Sequence, residues 1–217
     1  MKSTYISIIF LFLLLLVNRF IAKINKKETS IVKGKKGENK IKKILKDIDG
    51  VILSNLYFIY PNYSTEIDIL FINECGVFVI ESKNYKGKIY GNWEDKMWKQ
   101  FINGEMWEPI NPIHQNNIHV KEVEKVLNSV KIDVPVWSVI VFSNEVDLEV
   151  IPRRSGNVII CKQEGIVQLF NYCRMSSDIR VTDEGILKLK KIFKPYTKVS
   201  KKKRKKHIKY VSAKTIL

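Results

Sequence analysis

The stretch IDILFINECGVFVIESKN, Ile67 to Asn84, constrains the fold more than any other part of the chain. Two apolar runs flank a short turn, so period-two alternation predicts a buried β-hairpin with strands over 66–72 and 76–83. Alternate residues of a strand share a face, which puts Val77, Val79, Glu81 and Lys83 on one side and Phe78, Ile80 and Ser82 on the other. An even-length turn over Asn73 to Gly76 then pairs Ile72 with Val77, Leu70 with Val79, and Asp68 with Glu81. Opposed residues have Cβ atoms about 4.5–5.5 Å apart, and like charges there destabilise a ladder unless something positive lies between them. A divalent cation meets that need, with Lys83 at the edge of the same ground. An ordinary pair of solvent-facing strand ends joined in a salt bridge satisfies the spacing as well.

The helix expected before the hairpin adds a third acid. In ENKIKKILKDI, Ile41, Ile44, Leu45 and Ile48 fall at helical spacing with lysines opposite. Glu38, Ile41 and Leu45 stand at i, i+3 and i+7, so an acid begins the buried stripe. Three carboxylates and a lysine converging on partly buried ground are costly unless paired, which favours a metal site. Oxygen donors without histidine or cysteine suit Mg²⁺ or Mn²⁺ rather than zinc. The three cysteines, Cys75, Cys161 and Cys173, form no CxxC pair, so neither a zinc knuckle nor a disulfide framework is expected.

Further elements follow from pattern. Strands are predicted over 51–60, before the hairpin, and near Lys88 to Tyr90 after it. Asn111 and Pro112 read as N-cap and first residue of a helix to about Val130, with Val120, Val123, Leu127 and Val130 as its stripe. VPVWSVIVFS, 134–143, is continuously apolar and β-branched, as in a strand buried on both faces. A strand at NVIIC and helices near 163–174 and 182–193 complete the order. Trp93, Trp98 and Trp107 either stack on unpaired bases or cover a sheet edge. His114 and His119, five residues apart, do not share a helix face and are expected as surface residues.

The net charge of +16 resides at the ends. Residues 1–46 carry twelve lysines and arginines against two acids, and 188–217 carry thirteen against none. The middle, 47–187, has thirteen against twenty acids, a balance of −7. The run from Tyr5 to Val17, extended by Phe20, Ile21 and Ala22, approaches the length that spans a bilayer, so 1–22 is expected to be a single-pass membrane anchor. Six lysines in 23–36, a basic linker, follow the run and only Lys2 precedes it, which places the domain in the cytoplasm. A cleaved signal peptide, and hence a secreted protein, is the competing reading, although Phe20 makes Ala22 a poor cleavage site. Residues 197–217, a basic tail expected to be disordered, suit nucleic acid or anionic lipid.

The segments GKKGE (34–38), TEIDIL (65–70), GVFVIESKNYKGKIYG (76–91) and NPIHQ (111–115) together resemble the nuclease-related domain, NERD, of the PD-(D/E)XK restriction-endonuclease-like superfamily. The resemblance covers about Lys33 to Ser143 and departs from the superfamily pattern at Ile67, which stands where PD has proline. It implies an α/β fold with an αβββαβ core, a central mixed sheet flanked by helices, within a domain over 37–196. It also implies roles. Asp68, Glu81 and the backbone carbonyl of Ser82 would hold Mg²⁺ or Mn²⁺, and Lys83 would orient the attacking water. Glu38 would complete the metal shell or bind a second ion, and Gln115, near a helix N-terminus, would position a backbone phosphate. The expected activity is metal-dependent hydrolysis of DNA or RNA phosphodiesters. A non-catalytic module of the same fold that binds nucleic acid or protein at the membrane is the alternative.

Overall fold

The computed structural model describes residues 13, 15–17, 19, 32–150, 154–176, 178–200, 202–205 and 207. Two units are distinguished, 1–36 and 37–217. In the first, residues 13, 15–17 and 19 are helical; among the described residues no helix is long and apolar enough to cross a membrane. Most of the expected anchor lies outside the described residues. A helix over 32–45, α1, leads into the second unit, followed by β1 (Val51–Ile59), β2 (Ser64–Asn73) and β3 (Gly76–Lys83). Three shorter strands, β4 (Gly87–Gly91), β5 (Lys99–Ile102) and β6 (Glu105–Trp107), precede α2 (Pro112–Ser129). Next come β7 (Val136–Phe142), β8 (Val146–Val150), β9 (Arg154–Ser155) and β10 (Val158–Lys162), then α3 (Ile166–Ser176) and α4 (Asp183–Thr197). The αβββαβ order therefore stands, with a strand triplet inserted before α2.

Six strands form a mixed sheet in the order β1-β2-β3-β7-β10-β9. β1, β2 and β3 pair antiparallel; β3 and β7, and β7 and β10, pair parallel. α2 makes the crossover from β3 to β7, as a parallel pair requires. One face packs on α1 and α3, through Ile41, Leu45, Ile166 and Phe170. The other packs on α2 and α4, through Val120, Val123, Leu127, Leu189 and Phe193. Phe170 meets Phe71 and Phe78 edge to face at 5.2 and 4.9 Å, the geometry that the ring quadrupoles favour. β7 is buried along nearly its whole length, which explains its unbroken apolar sequence.

The second sheet, β6-β5-β4-β8, continues the first. β4 starts four residues after β3 ends, β8 four after β7, and the parallel pairing of β3 with β7 resumes between β4 and β8. Trp98 is buried between these layers and stacks on Phe142 at 6.2 Å, so it is a core residue and offers no surface for bases. Trp93 is half-buried and packs on the same cluster, while Trp107 is exposed. All three cysteines are free; burial pushes the thiols of Cys161 and Cys173 up to about 12, which leaves them unreactive.

A pleat inversion in β1 and β2 sets the direction of the side chains around Asp68. Leu53 and Leu56, three residues apart, face the same core, as do their partners Leu70 and Ile67. Ile67 and Ile69, two apart, face opposite cores. Strict alternation is therefore broken opposite Asp68, where Asn55 takes a left-handed φ of 55°. Asparagine tolerates that conformation; β-branched residues do not. Asn55→Gly is expected to stay within about 1 kcal/mol of wild type, and Asn55→Val to lose about 1–2 kcal/mol in urea denaturation. Equal midpoints for the two variants would mean that the inversion is unstrained.

Candidate active site

The hairpin register is Asn73–Gly76, Ile72–Val77, Leu70–Val79 and so on to Ile69–Ile80, where the ladder stops. Beyond it β2 follows β1 away from β3. Asp68 occupies the gap: its Oδ2 accepts the Ser82 N–H at 2.9 Å, so a side chain takes the hydrogen bond that a strand would have taken. Glu81 is 3% exposed at the other side of the gap. The expected direct opposition of Asp68 and Glu81 is thus replaced by a splayed arrangement in which the two acids still act on each other electrostatically.

Three groups surround the Glu81 carboxylate. Lys83 Nζ stands 2.8 Å from Oε1, and Gln115 Nε2 donates to the same oxygen at 2.7 Å. Lys83 Nζ also donates to Gln115 Oε1 at 2.8 Å, closing a triangle. On the other oxygen, His119 Nε2 lies 3.2 Å from Oε2, at ion-pair distance but without hydrogen-bond alignment. His119 Nδ1 is 2.9 Å from Thr65 Oγ1. Gln115 therefore cross-links Lys83 and Glu81, a contact its spacing did not foretell.

His119 corrects the sequence expectation. It is buried, at 4% exposure, whereas His114 is exposed as expected. The partners of His119 come from two strands, so comparing it only with His114 along the helix missed them. A signal was present: Ile113, Asn116, Val120, Val123 and Leu127 form the inward stripe of α2, and His119 and Glu122 fall on it too. Polar residues at core positions require partners.

Three local devices hold these side chains. Asn111 caps α2 by accepting the Ile113 N–H at 2.9 Å, while its Nδ2 donates to the carbonyls of Asp95 and Trp93 at 2.8 and 3.1 Å. Asn116, fully buried, donates to Val79 O and Ser138 Oγ, both at 2.9 Å, and so fixes α2 on β3 and β7. Gly37 lets α1 approach the end of β3. A Cβ there would come within 2.9 Å of Asn84 Cβ and 3.1 Å of Ser82 Oγ. That closeness brings Glu38, the next residue, near enough for its charge to act on Asp68.

The electrostatics divide the two acids. Burial alone would raise Glu81, but the Lys83 charge and the contact with His119 outweigh it and hold the carboxyl down to about 2. Lys83 is raised: burial works against its charge, and Glu81 more than restores it. Asp68 is pushed well above the carboxylate range by burial and then by the charge of Glu81; the Ser82 N–H opposes this only in part. Glu81 is held ionised by its neighbours, whereas the surroundings of Asp68 oppose its ionisation. A cation beside Asp68 would relieve that resistance.

The donor set fits a hard ion. Asp68 and Glu81 are oxygen donors at the parted end of β2 and β3, and Ser82, whose backbone carbonyl is a third oxygen donor, sits there through its N–H bond to Asp68. Among the described residues no three acidic, histidine or cysteine side chains form a cage. Mg²⁺ does not require one, since it keeps several waters and binds through one or two carboxylates.

An acid whose folded pKa is raised costs stability where it is ionised, at pH above its folded value, and nothing at pH below its unfolded value. Asp68→Asn keeps an acceptor for the Ser82 N–H and removes the charge. In EDTA at neutral pH this variant is expected to raise the urea midpoint, with the gain shrinking towards pH 4. A lowered midpoint at neutral pH would contradict the electrostatic account of the gap.

Comparison with known proteins agrees with this geometry. An uncharacterized protein of Bacillus anthracis is 40% identical over 104 residues, which cover 46% of this chain and 49% of the relative. The chain thus spans about half the length of the curated relative it matches. No solved structure matches. The nuclease-related domain matches residues 33–143, half of the chain, from α1 to the end of β7 and including every residue of the gap. With the αβββαβ order and the Asp68, Glu81 and Lys83 cluster in place, the chain belongs to the nuclease-related domain family, NERD.

Proposed function

We propose that the chain is a metal-dependent nuclease that hydrolyses phosphodiester bonds of DNA or RNA. The observation that carries this reading is the parted end of β2 and β3, where Asp68, its ionisation opposed by burial and by Glu81, faces a gap beside a fixed Glu81–Lys83 pair. Asp68, Glu81 and the Ser82 carbonyl would hold Mg²⁺ or Mn²⁺, with Glu38 completing the shell or serving a second ion. Such an ion, when bound, lowers the pKa of coordinated water and offsets charge on the scissile phosphate.

The protein's own groups supply the rest. Lys83, kept cationic by Glu81, orients the attacking water and steadies the charge that grows on the phosphoryl oxygens. Gln115 holds the Lys83 and Glu81 side chains in one geometry through two hydrogen bonds. His119, braced on Thr65, limits the motion of the second Glu81 oxygen. Hydrolysis breaks one P–O ester bond and leaves a phosphate monoester and a hydroxyl. The apolar run in 1–22 and the lysines after it support a membrane anchor with the domain facing the cytoplasm.

A non-catalytic nucleic-acid-binding module is the second reading, favoured by the full engagement of Glu81 with Lys83, Gln115 and His119. The two are separated by incubating the chain with labelled DNA and RNA in Mg²⁺ or Mn²⁺. Wild type is expected to cleave, and Asp68→Asn and Lys83→Ala to lose at least about a hundredfold in rate. Rates for Lys83→Ala equal to wild type on every substrate would contradict catalysis. EDTA is expected to abolish cleavage reversibly.

A further inference from the structure

The basic segment after α4 does not hang free where it is described. Residues 202–205 and 207 are helical, and two side chains tie them to β1 and β2. Arg204 Nε donates to Tyr57 Oη at 2.7 Å, with its guanidinium 5.3 Å from the centre of the Tyr57 ring. His207, at 7% exposure, lies with Nδ1 3.0 Å from Ser64 Oγ and Nε2 3.6 Å from Glu66 Oε2, its ring edge-on to Tyr57. At these residues this differs from the disorder expected over 197–217; residues 201, 206 and 208–217 of that tail lie outside the described residues. The physical reason is that two residues within the charge run, Arg204 and His207, find aromatic and polar partners.

Where the segment docks gives it a use. Tyr57 pairs with Glu66, and Ile59 with Ser64, so Ser64 and Glu66 share one face of β2 just beyond the pleat inversion. Glu66 is two residues from Asp68, about 7 Å along the strand, on the order of two base-pair rises of a duplex. Lys202, Lys203 and Lys205 are exposed. Meanwhile the middle of the chain, 47–187, has a balance of −7, and the gap itself is lined with carboxylates. The domain over 37–196, with α1 and α4 included, balances twenty-one lysines and arginines against twenty-one acids, so the opposition to a polyanion is local, at the carboxylates of the gap where one must enter. Lys83, the cation inside the gap, is committed to Glu81.

We propose that this docked helix is a phosphate-binding ridge: Lys202, Lys203 and Lys205, held on β1 and β2 by Arg204 and His207, bind the backbone of a nucleic acid and deliver it to the Asp68 end of the gap. The inference rests on the nuclease reading for its purpose. Anchoring matters because a fixed row of cations loses less conformational entropy on binding than a loose one. Contacts of this type carry no base information, so the ridge confers affinity and not sequence preference.

The test uses the full chain in EDTA, which removes cleavage from the readout, with fluorescein-labelled 30-nucleotide single- and double-stranded DNA and RNA. Anisotropy is followed from 50 to 400 mM NaCl. A Lys202→Ala/Lys203→Ala/Lys205→Ala variant is expected to flatten the slope of log affinity against log salt by about 2 for single strands and about 3 for duplex. If the electrostatic contribution vanishes near 1 M, that is roughly a hundredfold or more in affinity at 0.1 M. Burial keeps His207 below its ordinary pKa, so His207→Ala removes an anchor and no cation. This variant, and Tyr57→Phe, are expected to weaken binding severalfold with the slope nearly kept.

An unchanged slope in the triple variant overturns the ridge, whether or not its binding to vesicles containing 30% phosphatidylserine falls. Wild-type affinity in both anchor variants overturns the docking. Failure of the nuclease reading is told apart by its own assay. A chain that binds through the ridge and never cleaves leaves the ridge standing, and one that cleaves while the ridge variants bind normally does the reverse.

Discussion

The hydrogen bond from the Ser82 N–H to Asp68 is the contact on which the site depends. Two apolar strands that pair from Asn73–Gly76 to Ile69–Ile80 would, if they continued, place Asp68 and Glu81 face to face in a medium that stabilises neither. Instead the strands part. The backbone donor freed by the parting is satisfied by the carboxylate that the parting exposes, so the gap costs no orphaned N–H. What stays unresolved within the protein is charge: Glu81 has Lys83, Gln115 and His119, whereas burial and its acidic neighbours oppose ionisation of Asp68.

The parting has a cause upstream in the chain. β1 and β2 reverse their inward face at Asn55 and Asp68, and stay paired with each other while β2 leaves β3. Everything beyond the reversal belongs to a different environment. Thr65 turns to His119 on α2, while Ser64 and Glu66 turn to the basic segment at His207. A single left-handed residue thus links the opening of the site, the brace on Glu81 and the surface that receives the C-terminal cations.

Much of this could be read from residue order. The hairpin register follows from an even turn and matches the ladder from Ile72–Val77 to Leu70–Val79. Asn111 caps α2 as its position before Pro112 suggests, and the α1 stripe of Ile41 and Leu45 is buried. Local chemistry determines each of these. The pleat inversion was not legible, because alternation counts presume a regular strand and nothing in LSNLY marks Asn55 as left-handed. His119 escaped because its partners, Thr65 and Glu81, are 54 and 38 residues away in sequence. β5 and β6 are short and mostly exposed, so their pattern is weak, although Asn103-Gly104, with φ of 51° and 83°, is a hairpin turn that the dipeptide itself announces. The docking of Arg204 was hidden for another reason: a run of lysines reads as solvated whatever one or two of its members touch.

The central claim is that the parted strand ends form a seat for a hard divalent ion. The most direct measurement is anomalous diffraction from crystals of the chain soaked in Mn²⁺. The account predicts a peak bounded by the Asp68 and Glu81 carboxylates and the Ser82 carbonyl, within reach of Lys83, that is lost in Asp68→Asn. Well-ordered crystals with no peak in that gap, or with manganese bound only elsewhere, would contradict it.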